Sequence, residues 1–328
     1  MITLNQPALS IARILCALTL VFFGEITSAQ TASTPEDLVT TAKVKQAASR
    51  IADRAFNDVR ALEFGRYTGK AGLLVAEGDS WYDYPLFDVL QQLEGRYNYK
   101  IESVARAGDT LESMVYDRGQ IATLALKLSR LASVEPKQVP TAILLSGGGN
   151  DVAGAELSLL LNHAQSELPV LNESIVSGVL DTRVRMSYLT LIESITQLSR
   201  RYFDRTIPVL IHGYDFPVTD GRGYLGGWWI LPGPWFKPFF ERKGYSDLQA
   251  NTNTVRTLVT RFNSILENIP STPGYEHVCY VKVVGTLLSV TAANQYRDHW
   301  NDELHPTRQG FRLVADRFQN ALTGCAKR

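Results

Sequence analysis

The sequence lacks an excess of charge of either sign: 33 lysines and arginines are balanced by 33 aspartates and glutamates over 328 residues. Without a net field, nothing draws the chain to nucleic acid or anionic lipid, and nucleic acid is not expected as a partner. Glycine and proline, at 24 and 14 residues, show no period, which excludes collagen-like and low-complexity chains. No unit recurs at a spacing of about 20 to 50 residues, so solenoids and propellers are excluded as well. After residue 24 no apolar run is long enough to cross a bilayer as a helix, and stable membrane insertion is not expected. What the sequence does have is a hydrophobic fraction of 45%. That is enough to offset the entropy of ordering and to exclude a disordered chain. The length accommodates one large α/β domain or two small ones.

Residues 14–24 form an uncharged apolar run, preceded by Arg13 and followed by a short polar stretch that ends in Thr27-Ser28-Ala29. The run is shorter than the roughly 20 apolar residues that span the hydrocarbon. Its basic flank and small-x-small end have the form of a secretory signal, residues 1–29, cut after Ala29. A secreted or periplasmic protein is therefore expected. Loss of that segment removes Cys16 and leaves Cys279 and Cys325. An even pair in an exported chain suggests a disulfide between them.

Residues 36–64 read as an amphipathic helix, with Ala47, Ile51, Ala55 and Val59 on one face. They belong to a helical extension over 30–72. From residue 73 the pattern changes. Short apolar runs at 73–76, 101–105, 142–145, 207–211 and 278–284 have the composition of fully buried strands. Helical stretches separate them, at about 86–94, 110–132, 155–202 with a break, and 246–268; a last one spans 307–322. Alternation of this kind gives βαβ units, right-handed crossovers and an α/β fold: a mostly parallel five-stranded sheet in a three-layer α/β/α sandwich over 73–328. Ligands of such sheets bind beyond the carboxyl ends of the strands.

The chemically interesting residues fall at those ends. Gly78-Asp79-Ser80-Trp81 follows the first strand, Ala105 to Asp109 the second, and Ser146-Gly147-Gly148-Gly149-Asn150-Asp151 the third. Asp302-Glu303-Leu304-His305-Pro306 follows the fifth after a loop. Taken singly, each is also a turn or a helix cap. Taken together they meet the needs of ester hydrolysis, which are a nucleophile, a base, a group orienting the base, and donors for an oxyanion. Ser80 supplies an exposed hydroxyl, His305 can accept its proton, and Asp302 can hold the imidazole tautomer. The Ser80 and Gly108 N–H groups and the Asn150 amide are the candidate oxyanion donors.

This set resembles the SGNH family of GDSL-type hydrolases from about residue 73 to 322. The motif G-D-S lies at 78–80, the second-block glycine is Gly108, G-x-N-D is Gly148 to Asp151, and D-x-x-H-P is Asp302 to Pro306. The resemblance implies a flavodoxin-like sheet, a Ser80–His305–Asp302 triad and an oxyanion hole of Ser80, Gly108 and Asn150. The chain departs from the family by carrying Trp81, then Tyr82-Asp83-Tyr84-Pro85, where leucine usually follows G-D-S.

Other readings of the same residues are weaker. His299, Asp302 and His305 have a spacing that invites a metal, but the triad already uses two of them, and neither metal nor cofactor is expected. No G-x-S-x-G occurs, which argues against an α/β-hydrolase elbow. His212 ends the fourth strand as a satisfied histidine or a pocket residue. An insertion at 214–245 concentrates Tyr224, Trp228, Trp229, Trp235, Phe236, Phe239 and Phe240. It forms a small core of its own, or else a substrate site with Trp81, either an apolar pocket for acyl or aryl groups or a platform for sugar rings. The expected activity is that of an exported serine esterase acting on a small-molecule or glycan ester. The alternatives are a glycan O-acetylesterase, an acyltransferase, or a non-catalytic binding protein on the same fold.

Overall fold

A computed structural model of the chain describes residues 69–85, 87–134, 136–224, 232–291 and 294–325. The expected signal at 1–29 and the helix at 36–64 lie outside the described residues, as do Trp228 and Trp229. Every described residue belongs to the second of the chain's two units, Asp58–Arg328.

The apolar runs become strands that the fold buries from both sides: β1 (Leu73–Glu77), β2 (Lys100–Ser103), β3 (Ala142–Leu145), β4 (Val209–His212) and β5 (Val278–Val281). All residues of β3 and β4 are buried, as a central strand requires. Strand β2 is the exception, half exposed at the sheet edge, and shorter than its apolar run suggested. The order is β2-β1-β3-β4-β5 and every pairing is parallel, the flavodoxin-like arrangement. In this register Glu77 lies opposite Leu145, so the segments after β1 and β3 leave the sheet side by side.

The helices are α1 (Val89–Tyr97), α2 (Leu111–Tyr116), α3 (Arg118–Ala132), α4 (Ala155–Leu160), α5 (Glu173–Ser177), α6 (Arg185–Phe203), α7 (Lys237–Arg242), α8 (Leu248–Asn268) and α9 (Arg308–Cys325). One face of the sheet, through Leu74, Ala76, Leu144 and Leu210, packs on Leu93 of α1 and on Phe311, Val314 and Phe318 of α9. The other, through Val75, Ile143, Leu145 and Ile211, packs on Leu124, Leu128, Tyr188, Ile192 and Phe262. Each fully buried Val, Leu, Ile or Phe side chain among these stabilises the fold by roughly 1.5–3 kcal/mol.

Several boundaries differ from the sequence pattern, three of them for a local reason visible in the structure. The stretch 110–132 divides at Asp117, whose backbone is extended, and Thr110 caps the shorter piece by accepting from the Ser113 N–H. The break in 155–202 spans 161–172, after which Asn172 caps α5 by accepting from the Ile175 N–H; a π-helical stretch, Gly178–Val184, then joins α5 to α6. Strand β5 stops at Val281 rather than 284. The Asp215 carboxylate accepts the N–H groups of Gly285, Thr286 and Leu287 at 3.2, 2.8 and 2.6 Å and draws the chain out of the ladder. A disulfide joins Cys279 of β5 to Cys325 at the end of α9, with Cα atoms 6.2 Å apart. Among the described residues no helix is long and apolar enough to cross a membrane.

Candidate active site

Strands β1 and β3 approach closely because residue 78 is glycine: a Cβ there would lie 2.7 Å from Ser146 Cβ and 2.9 Å from its carbonyl oxygen. Asp79 locks the turn that follows. Its Oδ1 accepts from the Trp81 N–H at 3.0 Å and from the Ser146 hydroxyl at 2.6 Å, and the Tyr214 hydroxyl donates to its Oδ2. The next side chain, Ser80, is thereby presented half-buried beyond the sheet edge.

The structure brings Ser80, His305 and Asp302 together. Ser80 Oγ lies 2.7 Å from His305 Nε2, across 225 residues of sequence, and His305 Nδ1 lies 2.9 Å from Asp302 Oδ1. A carboxylate only accepts, so Nδ1 carries the proton and Nε2 is left to accept from the serine hydroxyl. Asp302 Oδ1 also accepts the N–H groups of Leu304 and His305 at 2.9 and 2.8 Å. Its Oδ2 accepts from the Tyr84 hydroxyl at 2.9 Å and from the Asn301 amide at 3.4 Å. Burial by itself raises the Asp302 carboxyl, but the facing His305 and these hydrogen bonds outweigh it and hold the group below the usual carboxylate range. The Tyr84 ring also stacks on the imidazole, centroids 4.2 Å apart.

The candidate oxyanion donors meet at the same place. Gly108 adopts φ +89, a left-handed conformation that glycine reaches without strain, and beyond its own chain neighbours nothing lies within 4 Å of the position a Cβ would take. The loop around it is held by Arg106 N–H on the Gly78 carbonyl at 2.8 Å and Ala107 N–H on Asp83 Oδ2 at 2.9 Å. Among the described residues the N–H groups of Ser80 and Gly108 make no hydrogen bond. Asn150 Nδ2 donates one hydrogen to the Asp109 carbonyl at 2.9 Å, which fixes the amide's orientation and leaves its second hydrogen available. Asp151 points away, accepting from the Leu111 N–H at 2.9 Å, and burial pushes its carboxyl up to about 6.

The other expected residues fall in different places. Trp81 is 3% exposed and lies beneath the site, its indole N–H donating to the Leu304 carbonyl at 3.1 Å. It borders a small cavity beside Ser80, not the open groove. Trp235 does line the groove, edge-on to His305 at a centroid distance of 5.2 Å. His212 is fully buried among Trp81, Tyr82 and Phe318, with Nδ1 against the Gly213 carbonyl, and lines neither space. The His299 ring instead accepts from the Leu288 N–H, apart from Asp302 and His305. Among the described residues no group of His, Cys, Asp and Glu is arranged to hold a metal ion.

Sequence spacing gave no sign of four supporting residues. They are Tyr84, Asn301, Tyr214, which spans Asp79 and the Gly149 N–H, and Glu303. The buried Glu303 carboxylate accepts four backbone N–H groups, from Gly221, Trp235, Phe236 and Lys237, and so fastens the aromatic segment to the loop that carries His305.

No family model matches the sequence, and no curated protein does. Among solved structures the chain is similar to SGNH/GDSL-type hydrolases at low identity. One is a candidate SGNH hydrolase from Slackia heliotrinireducens, 13% identical over 77% of this chain and 100% of that one, with a TM-score of 0.45. Another is a psychrotrophic esterase from Pseudoalteromonas sp., 12% identical over 78% and 100% of the chains, TM-score 0.40. A third is an acetylxylan esterase from Geobacillus stearothermophilus, 14% identical over 77% and 95%, TM-score 0.38. A likeness of this degree leaves the chemistry open, so the side chains of the site decide it.

Proposed function

We propose that the chain is a serine esterase that hydrolyses carboxylic esters through an acyl-enzyme on Ser80. The observation that carries this reading is the hydrogen-bonded series Ser80 Oγ, His305 Nε2, His305 Nδ1, Asp302 Oδ1 at 2.7 and 2.9 Å. Ser80 Oγ bonds to the carbonyl carbon as its proton passes to Nε2, and the developing oxyanion faces the Ser80 and Gly108 N–H groups and the Asn150 amide. Collapse breaks the carbon–oxygen bond to the alcohol, which leaves with the proton from Nε2. Water then attacks the acyl-enzyme, gives a proton to Nε2 and releases the acid as Ser80 recovers its hydrogen. Asp302, ionised and bonded to Nδ1, stabilises the imidazolium formed in both halves. These steps use only the chain's own groups and water.

Export to the periplasm or medium is part of the proposal. It is supported by the apolar run at 14–24 and by the Cys279–Cys325 disulfide. N-terminal sequencing of the protein recovered outside the cytoplasm should begin near Gln30.

Ser80→Ala should keep the far-UV spectrum and lower kcat by several orders of magnitude. A small fluorophosphonate should label the wild type at Ser80 and leave the variant unlabelled. Undiminished turnover in Ser80→Ala would remove this serine from the reaction.

A further inference from the structure

Two spaces open from Ser80, and they differ in size and in which catalytic groups they reach. The larger is a groove of about 300 Å³ that includes Gly108, His305, Tyr84, Tyr224 and Trp235. The smaller is a cavity of about 50 Å³ that shares Ser80 and Asn150 but does not include His305; its walls are Val152, Phe236, Leu258, Val259 and Phe262. We propose that the small cavity is the acyl site, so that the enzyme takes esters of short, neutral acyl groups, and that the aromatic groove receives the alcohol. The assignment rests on the serine-esterase reading above.

The geometry of the tetrahedral intermediate decides which space is which. Its carbon carries four groups. One is bonded to Ser80 Oγ, and the oxyanion turns to the Ser80, Gly108 and Asn150 donors. The leaving oxygen has to lie at His305 Nε2, because the alcohol departs with the proton held there. The acyl substituent takes the remaining direction, away from His305, where the small cavity lies.

Capacity follows from volume and from how firmly the walls are held. A water molecule occupies about 10–15 Å³ on this measure, so the cavity has room for roughly four small atoms. Acetyl to butyryl groups fit, and an octanoyl chain does not. Phe236, Leu258 and Phe262 are 4%, 4% and 3% exposed and belong to the main core, so the wall cannot recede cheaply. The two carboxylates on the wall are already engaged: Asp79 with Trp81, Ser146 and Tyr214, and Asp215 with the 285–287 backbone. No lysine, arginine or histidine lines the cavity, so a charged acyl group would find no counter-ion there. The aromatic segment, through Tyr224 and Trp235, accordingly meets the alcohol rather than the acyl chain.

The test is a series of p-nitrophenyl esters from acetate to octanoate, beside acetates of alcohols of increasing size. In the wild type, kcat/KM should fall by about tenfold or more for each methylene beyond the cavity's capacity. Val152→Phe should narrow the cavity and lower butyrate against acetate by about tenfold. Leu258→Ala should raise octanoate against acetate by a similar factor; should it unfold, the half-buried Val259→Ala carries the same measurement. Trp235→Ala should weaken turnover of bulky-alcohol acetates and leave the ratio of butyrate to acetate in the p-nitrophenyl series unchanged. Octanoate turned over as fast as acetate, with Ser80 labelled by fluorophosphonate, would overturn the acyl-site assignment and leave the esterase reading standing. No turnover of any ester and no labelling at Ser80 would overturn both.

Discussion

Asp302 and Glu303 are consecutive, both 0% exposed, and both surrounded by hydrogen-bond donors, yet their carboxyl groups shift in opposite directions. Asp302 is held below the usual range, whereas burial pushes Glu303 up to about 7. Desolvation opposes ionisation at both. Asp302 faces an imidazole that the proposed reaction turns into a cation, while Glu303 meets neutral backbone N–H groups, which offset part of the cost of burial. The charge of the partner separates the two groups more than the number of hydrogen bonds does. One half of the loop thereby carries the carboxylate that faces His305, and the other ties down the aromatic segment.

The largest effect is expected from erasing the distinction at its catalytic end. Asp302→Asn would offer an amide N–H to Nδ1 and favour the wrong imidazole tautomer, and kcat should fall by about 10⁴. Kinetics of the folded variant check this, and a loss of tenfold or less would show that Asp302 does not orient the base.

The second test acts on Glu303 through pH. In the folded protein this group keeps its proton up to about pH 7, against 4.5 for an ordinary glutamate, so the folded state binds more protons between those values. Its contribution is complete below about pH 4.5 and is lost as pH rises through 7, a swing on the order of 3 kcal/mol. Glu77 and Asp88, each raised to about 8 by burial, act in the same direction. Urea unfolding should therefore show greater stability at pH 5 than at pH 8, and Glu303→Gln should reduce the difference. An identical pH difference in the variant would remove Glu303 as its source.

The smallest effect sharpens the comparison at a single hydroxyl. Tyr84→Phe removes the donor to Asp302 Oδ2 but keeps the ring against His305, and kcat should fall about three- to tenfold with KM little changed. A variant with unaltered kcat would make Tyr84 a packing residue only.

The parts of this site that were legible in the sequence share a property: their chemistry forces a residue type at a strand end. A serine after β1, an asparagine after β3 and an Asp-x-x-His after β5 could be read in order, because the parallel sheet gathers those ends at one edge. The supporting residues lacked that property. Tyr84 reaches Asp302 across 218 positions and Tyr214 reaches Asp79 across 135, and any tyrosine in a buried loop looks the same in sequence. Glu303, beside the acid of the proposed triad, could be read as ordinary loop polarity until the aromatic segment's N–H groups were seen to converge on it. Strand β5 was read three residues too long for the same reason, since Asp215 acts on it from another element. Trp81 stood out as unusual after G-D-S, but its spacing could not separate a core indole from one lining the groove.

Helix α9 begins just after His305-Pro306, where Thr307 caps it by accepting from the Gly310 N–H at 3.0 Å, and ends at Cys325 in its bond to β5. Its 18 residues make a rod about 27 Å long. One end sets where the imidazole stands; the other is bolted near the start of β5, at the opposite edge of the sheet. For practical handling this sets the two ends of the helix apart. A probe attached near Cys325 would accordingly sit at the helix end remote from the His305 loop, about 27 Å along the rod.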